Sequence, residues 1–163
     1  MSSICFEAKM SPGHLYHYFK GKEDLVEAIV EEDSVDSEAM MRELQQSSNT
    51  LEALLQRVEN IWTKELRISR VLKTEIQAEA CRNRRISEIY RDFDNRIRNT
   101  LCEILKSAQD KNQIDRSVDP EGFATLIVGM ISGLTSSYEA GCSIDIDRTT
   151  RAIRTMLAQT LTP

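Results

Sequence analysis

Apolar residues recur along this chain at the three- and four-residue spacing of helices. No stretch alternates at the two-residue spacing of strands between turn signals. Residues 22–46 read as one long helix with Leu25, Val26, Ile29 and Val30 on one side and Met40, Met41 and Leu44 further along. "QSSNT" interrupts the pattern, and Asn49 or Thr50 can cap the next helix. That helix carries the stripe Leu51, Leu54, Leu55, Val58, Ile61, Trp62 and Leu66, the spacing of a half-buried helix. A shorter helical segment covers residues 70–81. The sharpest stripe comes next, through Ile86, Ile89, Tyr90, Phe93, Ile97, Leu101, Ile104, Leu105 and Ala108. "KNQIDRSVDP" is a loop that ends with Asp119 as N-cap and Pro120 at the first helical position. The pattern predicts an all-α fold.

The helix from Pro120 to about Ala140 differs in kind. "FATLIVGMISGL" is apolar nearly all round, so more than one face needs cover. Gly129, Ser132, Gly133 and Ser136 recur at three- and four-residue spacing and allow another helix to approach closely, and Gly141 ends the segment. The last helix, from about Asp145 to Leu161, carries Ile146, Ile153, Met156, Leu157 and Leu161. A single-chain bundle could hide both helices. The favoured expectation is a two-fold homodimer interface drawn from Phe123, Ile127, Gly129, Met130, Gly133, Leu134, Ser137, Ile153, Met156 and Leu157.

Composition narrows the function. At 163 residues, 40% hydrophobic and 29% charged, the chain has the make-up of an ordinary globular protein, either one domain or a small domain fused to a larger one. Four cysteines without a CxxC pair and two histidines near the N-terminus argue against a zinc cluster, so no metal and no cofactor are expected. Reduced thiols, no signal pattern and no apolar run near the roughly 20 residues of a membrane span predict a cytoplasmic protein. A net charge of −5 argues against wholesale coating of nucleic acid but permits one local DNA-reading face.

"SPGHLYHYFKGKEDL", residues 11–25, holds both histidines and two of the four tyrosines. Ser11 and Pro12 start a short helix that runs to about Phe19, with Gly21 closing it. At 100° per residue, Leu15 and Phe19 share one face and can pack on Ile4, Cys5 and Ala8 of a preceding helix. Gly13, Tyr16, His17 and Lys20 then point outward, with His14 and Tyr18 on the flanks. Two short helices joined at "AKMSP", the second showing water hydrogen-bonding rings, have the form of a helix-turn-helix. Tyr and His donate to phosphates or base edges, and Lys22 can meet a phosphate. A histidine metal site lacks a third ligand nearby. An ordinary solvated surface and an aromatic protein-binding patch are the bland readings of the same residues.

These residues also carry a resemblance. The stretch resembles the small-x-LY-x-YF-x-x-KE-x-L signature of TetR/AcrR-type bacterial transcriptional regulators, with Leu15, Tyr16, Tyr18, Phe19, Lys22, Glu23 and Leu25 in place. The resemblance implies a homodimeric repressor on a palindromic operator, released by an inducer bound in the C-terminal domain. By position, Pro12, Gly13, His14, Tyr16, His17, Tyr18 and Lys22 match the family's DNA-contacting sites. It divides the chain into a helix-turn-helix region at 1–24 and a ligand-binding and dimerisation domain at 25–163. Lys9 stands where the family usually has glycine, and Phe6 where a polar residue is common. The family begins with a further helix ahead of Ser2, so the head is expected to be incomplete. This chain alone should then bind operator poorly and an upstream-extended form well.

For the ligand side, Met40, Met41, Trp62, Leu66, Ile76, Cys81, Ile89, Tyr90, Phe93, Met130 and Tyr138 are the candidate lining, although ordinary core packing is the favoured reading for each taken alone. They suggest an amphipathic, mostly apolar inducer. Glu75 and Glu79 share a helix face and read as solvated. Arg82, Arg84, Arg85, Arg91, Arg96 and Arg98 read as a solvated face with Glu88, Asp92 and Asp94 as counter-charges. Nothing is patterned as a base and nucleophile, so no enzyme is expected. The alternative function is a dimeric small-molecule-binding protein that has lost DNA binding.

Overall fold

A computed structural model describes residues 11–62 and 67–163, and every regular element among them is an α-helix. The helices are α1 (Pro12–Tyr18), α2 (Lys22–Gln46), α3 (Thr50–Asn60), α4 (Arg67–Ala80), α5 (Arg84–Asp110), α6 (Pro120–Glu139) and α7 (Ile146–Leu161). The expected packing partners Ile4, Cys5 and Ala8, with Phe6 and Lys9, lie outside the described residues. Leu66 and the side chains of Pro12 and Met40 do too.

Local chemistry fixes most of the helix ends. Ser11 accepts from the His14 N–H at 3.2 Å, Asn49 from Glu52 at 3.1 Å and Asp145 from Arg148 at 2.9 Å. Asp119 accepts from both Glu121 and Gly122, so each cap satisfies N–H groups that a helix start leaves unpaired. Two C-termini close in the same way. Beyond α6, Gly141 adopts φ +84°, the Gly141 N–H donates to the Tyr138 carbonyl and Cys142 reaches back to Ser137, a Schellman closure. Asn112, at φ 55°, repeats it beyond α5 through Asn112 to Gln109 and Gln113 to Ala108.

One end differs from the sequence pattern. The stripe through Ile61, Trp62 and Leu66 predicted a longer helix, but α3 ends at Asn60. Just beyond it, the Ile61 carbonyl accepts from the Arg70 guanidinium at 2.6 Å.

The central helix is α5, which lies against α2, α4 and α6, while α3 packs on α2 and α7. The largest core joins Leu54, Leu55 and Val58 of α3 with Leu101, Cys102 and Leu105 of α5, Phe123 and Ile127 of α6, and Ile153, Leu157 and Leu161 of α7. A second core gathers Val26, Val30, Ile76, Ile86 and Phe93, and a third Met41, Leu44 and Ile104. Each fully buried Leu or Ile contributes about 1.5–3 kcal/mol relative to exposure.

The cores correct part of the expected interface. Phe123, Ile127, Ile153 and Leu157 are buried in the chain's own core and have almost no surface left for a second copy. Met130 and Leu134 are partly buried against it. The apolar stripe of α6 and α7 is therefore divided between the chain's own interior and its surface.

Candidate DNA-reading face and ligand cleft

Among its described side chains, helix α1 buries Leu15 alone. Leu15 is buried, whereas Tyr16 and Tyr18 are 51% and 64% exposed and Gly13, His14 and His17 are exposed as well. Tyr18 sits edge-on between both imidazoles, 5.3 Å from His14 and 5.2 Å from His17. Such contacts order the rings while leaving their N–H and O–H groups outward. A Cβ on Gly13 would meet nothing within 4 Å, so that backbone is open to a close neighbour. The face expected at His14, Tyr16, His17 and Tyr18 is assembled on one short helix.

Behind it, a polar seam joins the start of α2 to the α4–α5 turn. The Asn83 side chain caps α5 by accepting from Arg85 and Ile86, and its Nδ2 donates to Glu23 at 2.7 Å. Arg85 donates to Glu27 at 3.0 Å, and Lys22 Nζ lies 2.9 Å from Glu79. Arg82 donates to Glu79 as well. The hydrogen bonds from Arg82 and then Lys22 hold the Glu79 carboxyl below its usual range, and Asn83 does the same for Glu23. Both are therefore anionic at neutral pH.

The arginine run divides accordingly. Arg84, Arg91 and Arg98 pair with Glu88, Asp92 and Asp94 as the sequence suggested. Arg82 and Arg85 join the seam, and Arg96 donates to the buried Ser34 hydroxyl. The solvated-face reading of Glu79 gives way to a structural pairing, while Glu75 is exposed.

An open cleft of about 530 Å³ lies between α4, α5 and α6. Thr74, Gln77, Ala78 and Cys81 form one wall, Tyr90, Asp94 and Arg98 another, and Gly129, Ser132, Gly133 and Ser136 the third. Gln77 and Ser132 lie 3.4 Å apart, and Asp94 and Arg98 form an ion pair at 2.6 Å. Burial pushes the Tyr90 phenol above its ordinary pKa. A Cβ at Gly129 or Gly133 would meet nothing within 4 Å, because both glycines look into this open space.

The candidate ligand residues do not gather there as one set. Cys81 and Tyr90 line the cleft, joined by Gly129 and Gly133 from the expected interface. Met41, Ile76, Ile89 and Phe93 instead belong to the second and third cores, and Met130 packs on the first. Trp62 and Tyr138 meet edge-on at 5.6 Å. Beside Tyr138 in sequence, Glu139 forms an ion pair with Arg70 at 2.7 Å, each side chain only 8% exposed. The polar lining at Thr74, Gln77, Asp94 and Arg98 escaped the sequence reading, since only helix packing brings these three faces together. Among the described residues no group of three or more His, Cys, Asp or Glu is placed to hold a metal ion.

Comparison with known proteins bears on both regions. Residues 1–29 match the family described as bacterial regulatory proteins, tetR family, and residues 52–162 match the BetI-type transcriptional repressor C-terminal family. The chain belongs to the TetR family of transcriptional regulators. It is 27% identical over 140 residues to the HTH-type transcriptional regulator UidR of Escherichia coli K12, spanning 86% of this chain and 71% of that protein. Salmonella enterica GusR superposes with a TM-score of 0.78 at 32% identity, over 99% of this chain and 83% of that one. The reduced form of E. coli NemR has the same fold, with a TM-score of 0.78 at 16% identity over 100% of this chain and 86% of that one. Among the described residues no helix is long and apolar enough to cross a membrane.

Proposed function

We propose that this TetR-family regulator is a repressor that binds a palindromic operator as a homodimer and is released by a small amphipathic inducer. The observation that supports it most is the exposed face of α1, where His14, Tyr16, His17 and Tyr18 stand on a helix anchored by Leu15. A face with so many hydrogen-bonding groups on a short projecting helix suits a DNA groove, with Pro12 and Gly13 at its leading end and Lys22 behind it.

The cleft is the inducer's best-supported seat. Tyr90 and the aliphatic edge of α4 suit an apolar moiety, while Gln77, Ser132, Asp94 and Arg98 suit hydrogen-bonding groups. The ligand this favours is more polar than the sequence alone suggested. For the dimer, the apolar side chains open to a partner include Leu126 of α6, 53% exposed, and Met156 of α7. Leu126 was not among the sequence candidates.

Selection of bound duplexes from a random DNA pool by the native gene product tests the reading. A palindromic motif bound by two chains is the expected outcome. Enrichment of no motif would favour the dimeric small-molecule-binding protein without DNA activity.

A further inference from the structure

We propose that Glu79 competes with the DNA phosphate for Lys22 and thereby sets how tightly the chain holds DNA. The inference rests on the DNA-binding reading above, since it concerns the same lysine.

Lys22 is the first residue of α2, directly behind the reading helix. Its ammonium does not stand free to meet a phosphate, because Nζ lies 2.9 Å from the Glu79 carboxylate, which is 14% exposed. The position of that carboxylate is fixed by its surroundings. Asn83 ties Glu23 and Arg85 ties Glu27, so the first turns of α2 are held against the junction of α4 and α5, where Glu79 occupies the last turn of α4. A lysine ammonium is a compact single charge. A phosphate that reaches Lys22 in place brings a second anion beside Glu79, and like charges so close repel. If Lys22 swings away to the phosphate, it gives up its pair, and Glu79 remains neutralised by Arg82. Either route weakens the contact with DNA relative to an unpaired lysine.

The placement also links this competition to the cleft. Ala78 and Cys81, on either side of Glu79, line the cleft wall. A ligand that shifts this end of α4 therefore moves the competitor of Lys22 with it.

A phosphate contact is independent of sequence, so a labelled mixed-sequence duplex is a sufficient probe. Anisotropy titrations of the native gene product at low and rising salt should show Glu79→Gln binding about threefold more tightly at low salt, the scale of an exposed ion pair. Lys22→Gln should weaken binding and lower the salt slope by about one. In the Lys22→Gln background, Glu79→Gln should change nothing, because the contested cation is gone. Glu27→Gln, which removes a comparable charge from the same seam, should leave affinity unaltered. The competition is overturned if Glu79→Gln has no effect, if its gain survives in the Lys22→Gln background, or if Glu27→Gln gives the same gain. Absence of salt-dependent binding by the native chain would defeat the DNA-binding reading and the competition together. Native binding that ignores Glu79→Gln removes the competition alone.

Discussion

Arg70 illustrates what a single charge does once folding takes it from water. Its guanidinium pairs with Glu139 of α6 and also donates to the Ile61 carbonyl at the end of α3, so one side chain ties three helices. Taking such ions out of water is expensive, and removing one partner takes away the charge that offsets the other's burial. Arg70→Met should destabilise the chain by about 3 kcal/mol, read by urea or thermal melting. Neither partner was legible in the sequence, where Arg70 and Glu139 are two charges among many. The reading residues were legible for the opposite reason. His14, Tyr16, His17 and Tyr18 fall around a helix whose buried side is set by Leu15, so the angle per residue alone turns them outward.

At the scale of elements, the ends that local chemistry determines were readable, and those made by distant residues were not. Asp119 with Pro120, Asn49 and Ser11 each announce a helix start, and each side chain accepts a backbone N–H as their types require. Asp119→Ala should cost about 1 kcal/mol, seen as a fall in Tm of roughly 2–4 °C, with the helical content of the native state unchanged. The end of α3 at Asn60 falls short of the apolar stripe, and the partner of the Ile61 carbonyl beyond it, Arg70, is nine residues downstream. Periodicity shows that a face is apolar without saying what covers it. Hence Phe123, Ile127, Ile153 and Leu157 were assigned to a partner chain although they fill this chain's own core. The same ambiguity left Met41, Ile76 and Phe93 as candidate ligand lining beside the favoured reading of core packing, and the cores are where they lie.

Across the whole molecule, the polar seam and the cleft share α4 and α5. The seam joins α2 to the α4–α5 turn, and α4, α5 and α6 wall the cleft. The all-α class followed from helical spacing, and the TetR family from one short motif at residues 11–25, because that motif lies in one unbroken stretch of sequence. The cleft has no such signature, since its residues come from three helices and meet only in the folded chain. The central claim is that α1 reads DNA through its exposed rings. Its most direct test is the affinity of Tyr16→Ala and His17→Ala variants of the native gene product for the selected operator, beside their melting temperatures. Each should bind about tenfold more weakly, the scale of one good base or phosphate contact, with an unchanged Tm because both side chains are exposed. Operator affinity equal to that of the native chain in both variants would contradict the account.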